Sequence, residues 1–108
     1  MRGGRILVAW YSVDFSSTNL TTTGISATLN LPGSGTSATL PSDIQRIDIT
    51  NTASADGVRV LAGGVETAVV GSSFSGDTLA QMSKGAAITL KSIFGTVSSG
   101  KLYIAFYN

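Results

Sequence analysis

Short runs of β-branched and aromatic residues, each ended by Gly, Asn, Asp, Ser or Pro, recur along this chain of 108 residues. β-Branched and aromatic side chains suit the pleated surface of a strand, and the residues that end the runs are those that turns prefer. Strong helix formers rarely run together, and 13 glycines interrupt the chain. The pattern therefore predicts an all-β domain.

The predicted strands differ in how their apolar residues are spaced. Residues 6–13 are apolar on both faces and are expected to be covered on both sides. The run at residues 101–108 alternates, so that two sets of side chains point to opposite faces. Further strands are predicted at residues 24–31, 37–40, 44–51, 58–61, 66–70 and 86–94, whereas residues 78–82 suit either one helical turn or a short strand.

Seven to nine short strands separated by glycine-rich turns predict an antiparallel β-sandwich, of jelly-roll type. We assign residues 6–108 to this single domain and residues 1–5 to a flexible N-terminal arm. The length suits one domain with a modest core, which must hold without disulfides because the chain has no cysteine.

The charged residues are few and scattered. The chain contains seven Lys and Arg residues and six Asp and Glu residues, which gives a formal net charge of +1. A nucleic-acid-binding surface needs basic residues clustered on one face, so no nucleic-acid partner is expected. The apolar run that ends at Asp14 is too short to span a bilayer, so no membrane partner is expected either.

The residue types argue against catalysis. Without His and Cys, the chain lacks the usual bases for a serine nucleophile and the usual ligands of zinc and haem. Residues 95–101 have the spacing of a phosphate-binding P-loop, but Leu102 stands where a Ser or Thr would bind Mg²⁺, and a strand pattern follows instead of a helix. We interpret this segment as a hairpin turn, and the six carboxylates as solvated surface charge. No catalytic residue, cofactor or metal site is predicted.

Three stretches carry a family resemblance. They are VDFSSTNLTT at residues 13–22; IQRIDITNT at residues 44–52, followed by VRV at 58–60 and GG at 63–64; and GAAITLKS at residues 85–92, followed by SSGKLYIAFYN at 98–108. These patterns resemble small jelly-roll head decoration, or cement, proteins of tailed bacteriophages. The chain departs from the family pattern at Ala105, where Asn is common, and at residues 70–81, which lack a proline–glycine turn.

The resemblance implies a virion structural protein and no activity. Such a protein is made in the host cytoplasm and binds the outside of the assembled capsid. Its partners would be the major capsid protein and further copies of itself. Because these proteins often sit at local three-fold positions between capsomers, the resemblance implies a homotrimer.

Three aromatic residues of the terminal strands are the predicted subunit interface: Trp10, Tyr103 and Tyr107. An isolated two-sheet sandwich should have polar outer faces, yet both terminal runs carry large apolar side chains on both sides. A chain this short has little material to cover two such faces, so we expect a partner subunit to do it.

Two arginines of the predicted arm, Arg2 and Arg5, are the predicted capsid contacts. Glycines keep such an arm flexible, and guanidinium groups offer forked donors to carboxylates on a partner. An alternative function stays open: a carbohydrate- or receptor-binding module of a phage fibre or tail, in which four aromatic side chains would line a platform for sugar, those of Trp10, Tyr11, Tyr103 and Tyr107.

Overall fold

The computed structural model describes residues 6–53, 57–71 and 73–108, and all regular elements of these residues are strands. They are β1 (Leu7–Asp14), β2 (Ile25–Ser26), β3 (Leu29–Asn30), β4 (Thr36–Ser37), β5 (Ile44–Asn51), β6 (Val58–Ala62), β7 (Val65–Val70), β8 (Phe74–Met82), β9 (Ile88–Ser92) and β10 (Lys101–Tyr107). The all-β prediction is confirmed. Among these residues no helix is long and apolar enough to cross a membrane.

The strands form two antiparallel sheets. The six-stranded sheet has the order β4-β3-β1-β10-β5-β8, and the four-stranded sheet has the order β2-β9-β6-β7. Side chains from both sheets pack into one hydrophobic core. This arrangement confirms the predicted β-sandwich, whereas its jelly-roll type stays a prediction.

Alternation along the strands builds the core. On β10, Leu102, Ile104 and Phe106 point inward and are buried, as their spacing predicts. Val60 and Leu90, on neighbouring strands of the four-stranded sheet, belong to the same core cluster. Each such side chain contributes roughly 1.5–3 kcal/mol when it leaves water.

Several predicted strand bounds are wrong. The run at residues 24–31 is not one strand, because the chain passes there from the four-stranded sheet (β2) to the six-stranded sheet (β3). Ala27, between the two, is buried, and its N–H donates to the carbonyl of Ile88. The weak strand expected at residues 37–40 is the two-residue β4, and residues 78–82 belong to the nine-residue β8.

The segment at residues 95–101 is a connection between the sheets. It leads from β9 to β10, which lie in different sheets, so the hairpin interpretation is wrong. Gly100 has a φ of +96°, and a Cβ there would lie 2.3 Å from the carbonyl oxygen of Thr52. Only glycine permits this approach, which brings the start of β10 against the end of β5.

Candidate functional site

The outer face of the six-stranded sheet carries the three predicted interface residues. Directly opposite residues of antiparallel strands point to the same face. Trp10 lies opposite Ala105, which stands between Tyr103 and Tyr107 on the outward side of β10. We call Trp10, Tyr103 and Tyr107 the aromatic patch.

The aromatic patch is partly self-packed. The ring centroids of Trp10 and Tyr103 lie 6.0 Å apart with planes inclined by 30°, a separation within the range of favourable aromatic pairs. Ala105 points outward but is only 1% exposed, because large side chains surround it on three sides. Trp10 and Tyr107 are half-buried, and Tyr103 is 42% exposed. Tyr103 is therefore the most exposed of the three side chains in the patch.

Only part of β1 is apolar on both faces, although the sequence predicts this for the whole strand. Tyr11 points inward, opposite Ile104, and packs against the core. Burial raises the pKa of its hydroxyl above the ordinary value. Beyond Trp10 the outward residues of β1 are polar: Ser12 and Asp14 are exposed. The apolar outer surface is therefore confined to the part of β1 that pairs with the second half of β10.

Charged side chains border the aromatic patch on the β5–β8 side. Arg46 lies opposite Tyr107, and Asp48 lies opposite both Ala105 and Asp77. Directly opposite carboxylates repel each other, and Arg46, whose Nη1 lies 4.0 Å from Oδ2 of Asp77, offsets that repulsion. An apolar centre with a charged rim is typical of a protein-binding surface.

A groove of about 520 Å³ lies on the other side of Tyr103, where β1 ends and β10 begins. Asp14 and Lys101 face each other across the two strands. Thr52 anchors the rim: its N–H donates to the Lys101 carbonyl at 2.8 Å, and its Oγ1 accepts from the Lys101 N–H at 2.9 Å. The lining side chains are those of Ser12, Val13, Asp14, Thr50, Thr52, Lys101, Leu102 and Tyr103.

The carboxylate of Asp14 is held ionised at the groove. Its Oδ1 accepts hydrogen bonds from the hydroxyl of Ser16 at 2.6 Å and from the Ser16 N–H at 3.0 Å. These bonds, the hydroxyl first, lower the pKa of Asp14 below its ordinary value, and the charge of Lys101 acts in the same direction. The groove thus combines an aromatic ring, a carboxylate, an ammonium group and hydroxyls.

The remaining site predictions fall elsewhere. Arg2 and Arg5 lie outside the described residues. In the segment with P-loop spacing, the Gly95 carbonyl accepts a hydrogen bond from the Ser92 hydroxyl, and Val97 pairs with Leu20. Among the described residues no three or more His, Cys, Asp or Glu side chains are grouped to hold a metal ion.

Sequence reasoning missed the groove. Asp14 and Lys101 come from opposite ends of the chain and meet only because β1 and β10 pair. Pairing the first predicted strand with the last would have brought Asp14 beside Lys101. The residue pattern of the two strands, however, does not indicate that they are neighbours in the sheet. Comparison with protein-family models, with curated proteins and with solved structures finds no match to this chain.

Proposed function

We propose that this chain is a virion structural protein of a tailed bacteriophage: a decoration protein of jelly-roll type that binds the outer surface of the assembled head as a homotrimer. The proposal starts from the resemblance of its strand and turn patterns to head decoration proteins. The single observation that carries it further is the aromatic patch with its charged rim on an outer sheet face.

The aromatic patch has the composition of a surface that is buried against another protein. Tyr and Trp are the residues that most often dominate binding energy, and they do so where a polar rim excludes water. Tyr103 is 42% exposed, so a partner has aromatic surface left to bury. Truncation of such an anchor costs about 2 kcal/mol or more when it is a hot spot. In our proposal the aromatic patch joins the copies, and Arg2 and Arg5 contact carboxylates of the major capsid protein.

The first experiment is light scattering coupled to size exclusion. The expected mass is three times the 11.0 kDa of the chain, and Tyr103→Asp shifts it to one chain because a charge cannot be buried there without a partner. Tyr103→Phe, which keeps the ring, is the matched control and stays trimeric. A wild-type chain that remains monomeric at micromolar concentration contradicts the self-association.

The second experiment measures particle binding. Undecorated heads of the phage that encodes the chain are mixed with the protein, sedimented and analysed for bound copies. Occupancy is expected to saturate, and deletion of residues 1–4 is expected to weaken binding with unchanged thermal stability. Heads that bind no protein at saturating concentration rule out the decoration role, and equal occupancy by the deletion variant rules out residues 1–4, including Arg2, as a contact.

The groove beside Tyr103 favours a second candidate function, a carbohydrate-binding module of a phage fibre or tail. A sugar ring could stack its C–H face on Tyr103, while Asp14 accepts and Lys101 donates hydrogen bonds to its hydroxyls. Saturation-transfer NMR with methyl glucoside, galactoside and mannoside tests this function. Signals that Tyr103→Ala and Asp14→Asn both abolish would support it, and no transfer to any of the three sugars would contradict it.

A further inference from the structure

The strands of both sheets run between two ends of the sandwich, and these ends differ in structure. At one end, which we call the arm end, the Asn108 N–H donates to the Ile6 carbonyl at 3.1 Å, and the chain turns at residues 31–35, 63–64 and 83–87. The other end, which we call the groove end, contains the groove beside Tyr103 and the connections at residues 15–24 and 93–100. The aromatic patch lies on a sheet face between them, so either end is left for the capsid contact.

The predicted arm joins the sandwich at Ile6, and its two arginines reach only a limited distance from there. Arg2 precedes Ile6 by four residues, so a fully extended chain separates their Cα atoms by at most about 14 Å. The groove end begins at Asp14, eight residues after Ile6, which is about 26 Å along the strand direction. The remaining distance of about 12 Å is longer than an arginine side chain. Carboxylates that Arg2 and Arg5 bind therefore lie near the arm end and not at the groove end.

Exposed aliphatic side chains lie at the arm end. Ile6 is 64% exposed, and Val65, which follows the turn at residues 63–64, is 67% exposed. The centre of a protein–protein interface is apolar and depleted in charged residues. The arm end therefore has apolar surface that a protein partner would bury.

Polar groups at the arm end suit a partner with carboxylates. A groove of about 360 Å³ lies where β5 begins and β8 ends, and the exposed side chains of Gln45 and Gln81 offer two N–H donors each at its rim. Lys84 is also exposed there. Its N–H donates to Oδ1 of Asp43 at 2.8 Å, whereas its ammonium group forms no ion pair with an Asp or Glu of the described residues. These donors match the chemistry of the arginines in the arm.

We propose that the arm end faces the capsid and that the groove end faces away from the particle. This inference rests on the proposed decoration role and names the surface that binds the major capsid protein. Arg2 and Arg5 bind capsid carboxylates beside the sandwich, and Lys84 with the two glutamines binds others below it. Ile6 and Val65 cover apolar parts of the capsid surface. The sheet face with the aromatic patch stays available to neighbouring copies.

Single cysteines test the orientation, because the chain has no cysteine of its own. Ser34→Cys lies in the turn at residues 31–35 of the arm end, Ser98→Cys lies at the groove end, and both serines are exposed. Each variant is labelled with maleimide–biotin, bound to undecorated heads and then offered streptavidin. Labelled Ser98→Cys is expected to bind streptavidin on the heads as well as in solution. Labelled Ser34→Cys is expected to lose streptavidin binding on the heads, or to lose its own binding to them.

Two matched pairs of substitutions test the contacts. Val65→Asp at the arm end and Phe94→Asp at the groove end each replace an exposed apolar side chain with a charge. Lys84→Glu and Ser98→Glu each introduce the same carboxylate at one of the two ends. At subsaturating concentration, the arm-end variant of each pair is expected to reduce the number of copies bound per head, and the groove-end variant is expected to keep it. Light scattering and thermal melting establish that each variant keeps the mass and the fold of the wild-type chain.

The outcomes separate this inference from the decoration role. Heads that bind no wild-type protein contradict the decoration role and, with it, the orientation. Heads that bind the protein but leave the label of Ser34→Cys accessible, or shield that of Ser98→Cys, overturn the orientation alone. Equal occupancy by Val65→Asp, Lys84→Glu and the wild-type chain also overturns it, because the arm end then makes no contact with the capsid.

Discussion

Gly100→Ala tests the close approach that builds the rim of the groove. At a φ of +96°, an alanine costs about 1–2 kcal/mol of backbone strain. The new Cβ would also lie 2.3 Å from the Thr52 carbonyl oxygen and 2.6 Å from Cα of Ala53. Both are backbone atoms, so the end of β5 must move away from the start of β10.

The free-energy cost of that movement can be estimated from the hydrogen bonds that it stretches. Thr52 N–H to the Lys101 carbonyl, at 2.8 Å, and Lys101 N–H to Thr52 Oγ1, at 2.9 Å, both span the gap. Each contributes about 0.5–1.5 kcal/mol, so their loss adds about 1–3 kcal/mol to the strain. The variant should lose about 2–5 kcal/mol in total, a large part of the 5–15 kcal/mol typical of a domain.

Gly35→Ala is the matched control. Gly35 has a φ of +90°, but no atom lies within 4 Å of the position that its Cβ would take. It should therefore lose only the strain, about 1–2 kcal/mol. Thermal melting at one protein concentration measures both variants. At about 4 °C per kcal/mol for a chain of this size, Gly100→Ala should melt about 4–12 °C below Gly35→Ala. Equal melting temperatures would refute the close approach.

Three further predictions concern single side chains. Asn51→Ala should lose about 1–3 kcal/mol in urea unfolding, because the fully buried amide bonds both Gly71 and Ala53, whereas full stability would contradict that role. Ser16→Ala should raise the pKa of Asp14 toward 3.8, measured by NMR titration. Because the pKa of Asp14 is lowered in the folded state, the stabilisation by Asp14 is present above pH 3.8 and is lost as the pH falls below that value. An unchanged pKa in Ser16→Ala would contradict the hydrogen bond from the Ser16 hydroxyl. The pKa of Tyr11 should lie above 10.0 in an ultraviolet titration, so its contribution to stability is lost as the pH rises beyond 10.0. Tyr11→Phe should remove this ionisation from the titration curve, and a pKa of 10.0 for Tyr11 would show that the ring is not buried.

The fold class follows from local patterns, whereas strand bounds depend on the partner strands. Alternation in β10 predicts the buried Leu102 and Phe106, since a period of two leaves only one face for the core. The same alternation misleads at residues 24–31, where the chain changes sheets after Ser26 and no residue pattern marks the crossing.

For the site, the sequence alone determined which residues are the aromatic candidates and that Tyr103, Ala105 and Tyr107 share a face. Only the tertiary structure decided that Trp10 joins them, because β1 pairs with β10 in a register that places Trp10 opposite Ala105. The same pairing brought Asp14 to Lys101. Side-chain direction along a strand is a local property of the pleat, but pairing joins residues almost a chain length apart, and its register depends on how well both strands bury their inner faces.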